Sequence, residues 1–346
     1  MPEASRAPGA TRGFAVLRGG VAETAQVAAE AERRGYQTAW SPEFYTRSGV
    51  VSLAAMAQVT DQARIGSAIA YAVGRTPLVL ATEARSLDEL SGGRLVYGLG
   101  TGTTKMMANW HGVDPSGPAS RMEELIPLLR RLWRLHEGPV RHDGRFYHVD
   151  IAPTAEMTAP LRTDIPVFTA GVNRRMIEVA GRVGDGYIGH TLFTPVYFDE
   201  VVRPVIAAGA EKTGRDPDRV EIAAMVICSV SDDEEVSRRE AAAQLGFYAA
   251  PRTYGTVVEE AGFGAAGEKI RAAFAARDIP AMTAAVPDEM VDSMAAAGTP
   301  QQVQAKLAEF GRHVDHVIVY PVSFGLTEER SRQVTADLLA AAAPHG

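Results

Sequence analysis

Cysteine is all but missing: of 346 residues only Cys228 carries a thiol, so no disulfide framework exists. It lies in the apolar run AAMVICSV, which reads as a buried strand, and a thiol there is a packing group rather than a nucleophile. A basic excess is missing too. Lys and Arg number 35 against 42 Asp and Glu, a formal charge of −7. No Lys/Arg block interleaved with aromatics occurs, which makes nucleic acid a poor partner. No apolar run approaches the roughly 18 residues that span a bilayer, so no membrane association is expected. Residues 1–13 lack the apolar stretch of a signal peptide, and a cytoplasmic protein is the expectation. His313 and His316 straddle a strand start with no carboxylate or cysteine cluster beside them, so no metal site is expected.

What is there is an ordinary globular composition, 46% hydrophobic with 33 glycines, which supports a sizeable core. Short β-rich runs alternate with segments of helical period, the signature of repeated βα units on a parallel sheet. The strands read as 14–17, 38–42, 65–73, 95–100, 166–172, 186–190, 220–230 and 314–322. Between them the pattern predicts helices over 21–34, 51–62, from Pro77 through Leu90, from about Met122 to His136, up to Val183, from Pro195 to Thr213, and from Glu234. RHDGRFYHV reads as a hairpin turning at Asp143-Gly144. Eight such repeats favour an α/β fold of the closed (β/α)₈ TIM-barrel type over an open doubly wound sheet. The chain then forms a single domain over 1–346, with a flexible amino terminus over 1–12 and an alanine-rich helical insertion at about 244–300, between strands seven and eight, over the barrel mouth.

The stretch SGGRLVYGLGTG, residues 91–102, is the richest in glycine. It is not a dinucleotide fingerprint: its glycines at 98, 100 and 102 leave the last interval one residue short, and the next predicted helix starts only near 121. Gly100, Thr101 and Gly102 instead end a barrel strand, where such folds build their sites. Backbone N–H groups bared by glycine and the Thr101 hydroxyl suit a phosphate, and a ligand-free tight turn is the other reading. Ala170, Gly171, Val172 and Asn173 form a second small turn running into a helix start on the neighbouring strand, so two turns can share one phosphate. In IGSAIAY, small residues through Ser67 and Ala68 precede β-branched Ile69; this reads as barrel packing or as a place for a flat ligand.

Three segments, ARIGSAIAYAVGRTPLVLATEARSLDEL, DELSGGRLVYGLGTG and IPVFTAGVNRRMIEVAGRVGDGYIGH, resemble in order the luciferase-like monooxygenase superfamily, specifically its branch of deazaflavin (coenzyme F420)-dependent oxidoreductases. The resemblance implies a barrel with an insertion between the last two strands, and a flavin-like ring braced against a third-strand bulge with a cis non-proline peptide, here Ala68-Ile69. It places the cofactor phosphate on the turns 100–102 and 170–173. F420 is the implied cofactor, with FMN as the alternative because the same cradle serves both. A small organic substrate and a homodimer are implied as partners. Lys105, Arg174 and Arg175 stand where an acidic cofactor tail could meet them, or are simply solvated.

A deazaflavin carries hydride on a ring carbon, so the resemblance implies hydride transfer to or from a C=C, C=N or C=O group. Glu43, beside Trp40, Phe44 and Tyr45, is expected to be buried with a raised pKa and to donate a proton, or else to be a loop carboxylate or helix cap. His190, ending the sixth strand, is expected to hydrogen-bond ring or substrate, or to be structural. His111 is expected in a loop role. Tyr320, Pro321 and Ser323 end the last strand at the mouth, and Phe247, Tyr248 and Tyr254 of the insertion are expected to close over substrate or to pack its core. The sugar-phosphate dehydrogenases of this family carry histidine where Glu43 falls and glutamate where Thr103 falls. Both departures point to a reductase; an FMN-dependent monooxygenase and a non-catalytic cofactor-binding barrel are the alternatives.

Overall fold

The computed structural model describes residues 9–155 and 157–344. In chain order it begins β1 (Thr11–Ala15), α1 (Val21–Arg33), β2 (Thr38–Ser41), α2 (Gly49–Ala57), β3 (Arg64–Ser67), β4 (Ala70–Tyr71), α3 (Pro77–Leu90) and β5 (Leu95–Gly100). It continues with α4 (Thr104–Trp110), α5 (Pro118–Trp133), β6 (Val140–Asp143), β7 (His148–Ile151), β8 (Val167–Ala170), α6 (Arg174–Val183) and β9 (Gly186–Gly189). Then come α7 (Pro195–Tyr197), α8 (Arg203–Glu211), β10 (Glu221–Val230), α9 (Glu234–Ala249), α10 (Gly255–Glu260) and α11 (Gly264–Ala275). The last elements are α12 (Ile279–Ala284), α13 (Asp288–Met294), β11 (Ala295–Gly298), α14 (Pro300–Gly311), β12 (His316–Pro321) and α15 (Glu328–Ala341).

The parallel strands run β1, β2, β3 with β4, β5, β8, β9, β10 and β12, and β12 pairs back with β1 to close a (β/α)₈ barrel. Side chains alternate along each strand. Ala15, Trp40, Val96, Phe168, Ile188, Ala223 and Ile318 fill the interior, while Phe14, Ala39, Ile65, Tyr97 and Val167 face the helices. Trp40 dominates the inside, and Gly66 leaves its ring room, since a Cβ there would collide with it. The indole Nε1 donates to His316 Nε2 at 3.0 Å, while His316 Nδ1 lies 2.7 Å from the Thr11 hydroxyl. His316 of β12 thus links Thr11 of β1 and Trp40 of β2, three neighbouring strands, inside the barrel. Burial drives its pKa far below the ordinary histidine value. Cys228 is buried on β10, its thiol pushed up to about 12 by burial.

Several expectations are corrected. Residues 1–8 of the expected flexible terminus lie outside the described residues, and Thr11 and Arg12 already belong to β1. The single strand expected over 65–73 is broken into β3 and β4 by a bulge. The hairpin is real, but Asp143 pairs with His148, so its turn is a four-residue loop. The Glu124 carboxylate of α5 accepts the Phe146 and Tyr147 N–H groups and holds that loop in place. The helix expected from Pro195 to Thr213 is interrupted by a π-helical turn over Phe198–Val202. Four elements escaped the pattern, α14 and α15 among them. α4 is short, and β11 is an alanine run that pairs in parallel with β10, where pairing overrides alanine's helical preference.

Candidate active site

The carboxyl ends of the strands meet at one mouth. On its β3 side the Ala68-Ile69 peptide is cis. The bulge is tied on three sides: Ser67 Oγ donates to the Gly98 carbonyl at 2.8 Å, the Ala68 N–H to Ser41 O and the Glu43 N–H to Ile69 O, both at 3.0 Å. Any side chain at Gly98 would be driven into the Ser67 carbonyl, so β5 carries glycine there because another backbone passes over it. Ile69 covers Gly100 in turn, with Cδ1 3.0 Å from where a Cβ would stand.

The two small turns are neighbours, because β5 and β8 pair through Leu99 and Thr169. Gly102 has φ +69, in the left-handed region that glycine enters freely. Thr101 is buried, its hydroxyl 3.2 Å from the Gly102 carbonyl. Thr103 caps α4, accepting the Met106 N–H at 3.2 Å. On the other turn the Tyr187 hydroxyl donates to the Gly171 carbonyl, and Asn173 Oδ1 caps α6 through the Met176 N–H at 2.9 Å. Ala170 and Val172 lie partly buried between them. The first N–H groups of α6 have no partner within the helix. Arg174 and Arg175 open that helix but pair with Glu260 and Glu123, whereas exposed Lys105 is in no ion pair among the described residues.

Glu43 differs from expectation. Burial alone would raise its pKa, but Arg75, whose Nη1 lies 2.8 Å from Oε2 and whose Nη2 bonds Oε1, together with the Tyr71 N–H at 2.9 Å, outweighs burial. The net shift is downward, so the side chain is a fixed carboxylate rather than a protonated acid. Arg75 also donates to the Tyr71 carbonyl at 3.3 Å and pairs with Glu83 at 3.2 Å. Glu43 and Arg75 thus bracket residues 69–71, immediately beyond the bulge. Sequence reasoning missed Arg75; its only signal was its place after the third strand, in GRTP.

His190 lies under the insertion. Tyr254 stacks on it with ring centroids 4.4 Å apart, and Tyr248 meets it edge-on at 5.3 Å. Burial lowers its pKa to about 3. Its Nδ1 accepts the Leu192 N–H at 3.3 Å, which places the ring proton on Nε2. The result is a neutral imidazole with its N–H at Nε2 and no positive charge. The Tyr248 and Tyr320 hydroxyls bond each other, so α9 and the end of β12 meet over the mouth. His111 keeps its loop place, its ring 4.8 Å from that of Tyr71.

Comparison with known proteins follows this geometry. The family model described as luciferase-like monooxygenase matches residues 4–316. The 5,10-methylenetetrahydromethanopterin reductase of Methanolobus tindarius is 30% identical over 292 residues, 84% of this chain and 86% of its own. Among solved structures, the coenzyme F420 dependent tetrahydromethanopterin reductase of Methanopyrus kandleri superposes with TM-score 0.81 at 24% identity, covering 96% of this chain and 98% of that one. An F420-dependent secondary alcohol dehydrogenase, solved with an F420-acetone adduct, gives 0.73 at 18% identity, covering 97% and 100%. At those identities the two structures speak for the fold.

Proposed function

The chain belongs to the luciferase-like monooxygenase family, an enzyme family, and on that premise we propose that it is an F420-dependent oxidoreductase acting as a reductase on a small organic substrate. The observation that carries the reading is the pair of glycine turns on adjacent strands, facing a bulge at Ser67, Ala68 and Ile69. These residues fit a phosphate with a flat ring attached. A Cβ on Gly102 would come within 3.2 Å of the Tyr71 ring, and one on Gly171 would collide with the Met176 side chain, so side chains at these positions would crowd both turns. In this reading Gly100, Thr101 and Gly102, with Ala170, Gly171, Val172, Asn173 and the start of α6, hold the phosphate through backbone N–H groups. Ser67, Ala68 and Ile69 back the ring.

Reduced deazaflavin supplies a hydride from a ring carbon when bound. The chain's own part is to position the acceptor, exclude water and polarise the bond being reduced. His190 donates a hydrogen bond from Nε2 to the heteroatom or conjugated carbonyl of the substrate, and the proton that completes the reduction comes from solvent after the hydride has moved. Glu43 and Arg75 fix the wall behind the ring. The direction is supported by what the site lacks as a base. The Thr103 hydroxyl is engaged in capping a helix, and the Glu43 carboxylate is engaged by Arg75, so neither stands free to take a proton from an alcohol. A relative named as a 5,10-methylenetetrahydromethanopterin reductase supports the same choice, and another named as a putative coenzyme F420-dependent oxidoreductase supports the cofactor.

The test is a titration of the purified protein with F420 and, separately, with FMN, following fluorescence quenching. Tight binding of F420 alone supports the proposal. Preference for FMN moves the enzyme to oxygen chemistry, and binding of neither removes the cradle on which the reading stands.

A further inference from the structure

Beside the mouth lies a cavity of about 670 Å³, bounded by the loops after β1 and β2, by α9 and by the segment after β12. Part of its wall is aromatic and fixed. Phe247 stacks on Phe324 with centroids 4.5 Å apart, and Phe44 and Tyr45 line the same cavity. Gln244 Oε1 accepts the N–H groups of Ser323 and Phe324, both at 2.9 Å, which ties the phenylalanine wall to α9. The Tyr248 and Tyr320 pair, next to His190, lines the same space. A slot of this kind suits a flat conjugated molecule.

The rest of the wall is cationic. Arg47 donates to the carbonyls of Val16 at 2.9 Å and Gly19 at 2.6 Å, and Arg18 donates to the Ser323 carbonyl. Neither makes an ion pair with a carboxylate among the described residues. Carbonyls orient a guanidinium without cancelling its charge, and both arginines keep further N–H groups to offer. Glu23 and Glu328 also line the cavity, but Arg332 is paired to them at 2.9 Å and 3.6 Å. Three arginines therefore face two glutamates, leaving one positive charge in excess at the wall.

We propose that this cavity receives a planar, conjugated substrate bearing a carboxylate or another acidic group, its acid on Arg47 and Arg18 and its ring against Phe247 and Phe324. This deepens the reductase reading and rests on it for calling the molecule a substrate; the binding itself does not depend on the cofactor.

The experiment compares anilinonaphthalene sulfonate, a flat fluorescent anion, with phenylnaphthylamine, which has the same rings without the acid. The sulfonate binds about tenfold tighter. Arg47→Ala and Arg18→Ala each erase most of that preference while phenylnaphthylamine keeps its affinity, and Phe247→Ala weakens both dyes. Arg47 also ties two loops, so if its variant does not fold, exposed Arg18 carries the test. Equal binding of the two dyes, or a preference that survives Arg18→Ala and Arg47→Ala, overturns the proposal. F420 titration of the same proteins separates the two readings: an arginine-dependent preference in a protein that does not bind F420 leaves the acid-binding cavity standing and sinks the reductase.

Discussion

Arg75 holds the Glu43 carboxylate with both terminal nitrogens of its guanidinium, and the same carboxylate accepts the Tyr71 N–H. The side chain is thus tied to the strand segment that backs the candidate ring site. Glu43→Gln keeps the shape and removes the charge, and it should cost about 2 kcal/mol at pH 7, the worth of hydrogen bonds to a charged group. Because the folded pKa is lowered, this contribution is fully present above the unfolded value of about 4.3 and is lost as pH falls through the folded value. Urea denaturation of both proteins at pH 7 and pH 3 checks it: the gap should be wider at the first and narrower at the second. A variant as stable as the parent at pH 7 that nevertheless loses turnover would make Glu43 a reacting group instead.

His316 predicts the acid limb of stability. It is neutral in the fold, accepting from Trp40, whereas the unfolded chain protonates it below about pH 6.5. Stability should therefore fall as pH drops below that value, by up to about 1.4 kcal/mol per unit for this residue. His316→Gln should flatten the slope of unfolding free energy between pH 6.5 and 4.5, measured by urea melts. An unchanged slope would place the acid sensitivity elsewhere.

The cradle can be tested with two glycines of similar backbone and different place. Gly102 and Gly214 have φ of +69 and +66, so alanine at either should cost about 1–2 kcal/mol. Only Gly102→Ala should also weaken flavin binding, read by fluorescence titration. Equal effects on binding would mean that the turn after β5 does not touch the cofactor.

His190 should not titrate in the working range. With its pKa lowered to about 3, kcat/KM should show no limb from this imidazole between pH 5 and 8, and its ring NMR shifts should stay constant there. His190→Phe keeps the stack with Tyr254 but removes the Nε2 donor, and turnover should drop about a hundredfold with flavin binding intact. A pH limb near 6.5 that disappears in the variant would show a protonating acid, contrary to the neutral donor described here.

The barrel was legible in the sequence because its strands are short apolar runs set off by turn residues; LVYGLG matches β5 residue for residue, and Pro77 and Leu90 bound α3 as read. The two turns were legible from glycine placement. What escaped depended on partners distant in the chain. The alanines of β11 carry no strand signal of their own and become a strand only against β10. Glu43 was expected to be raised by its aromatic neighbours, and Arg75, 32 residues on, reverses the sign. The arginines of the side cavity were invisible for the same reason, since their partners are carbonyls and not side chains.

The segment from α9 through β11 leaves and rejoins the barrel on one strand. β10 feeds α9, and β11 returns to lie along the upper end of β10, with Ile227 opposite Ala295 and Val230 opposite Gly298. The wall that carries Phe247, Tyr248 and Tyr254 is thus a cassette with neighbouring entry and exit points. Evolution, or an engineer grafting a relative's counterpart of residues 231–294, can replace the roof over the mouth while the remaining strand pairings, and the two glycine turns they align, stay as they are.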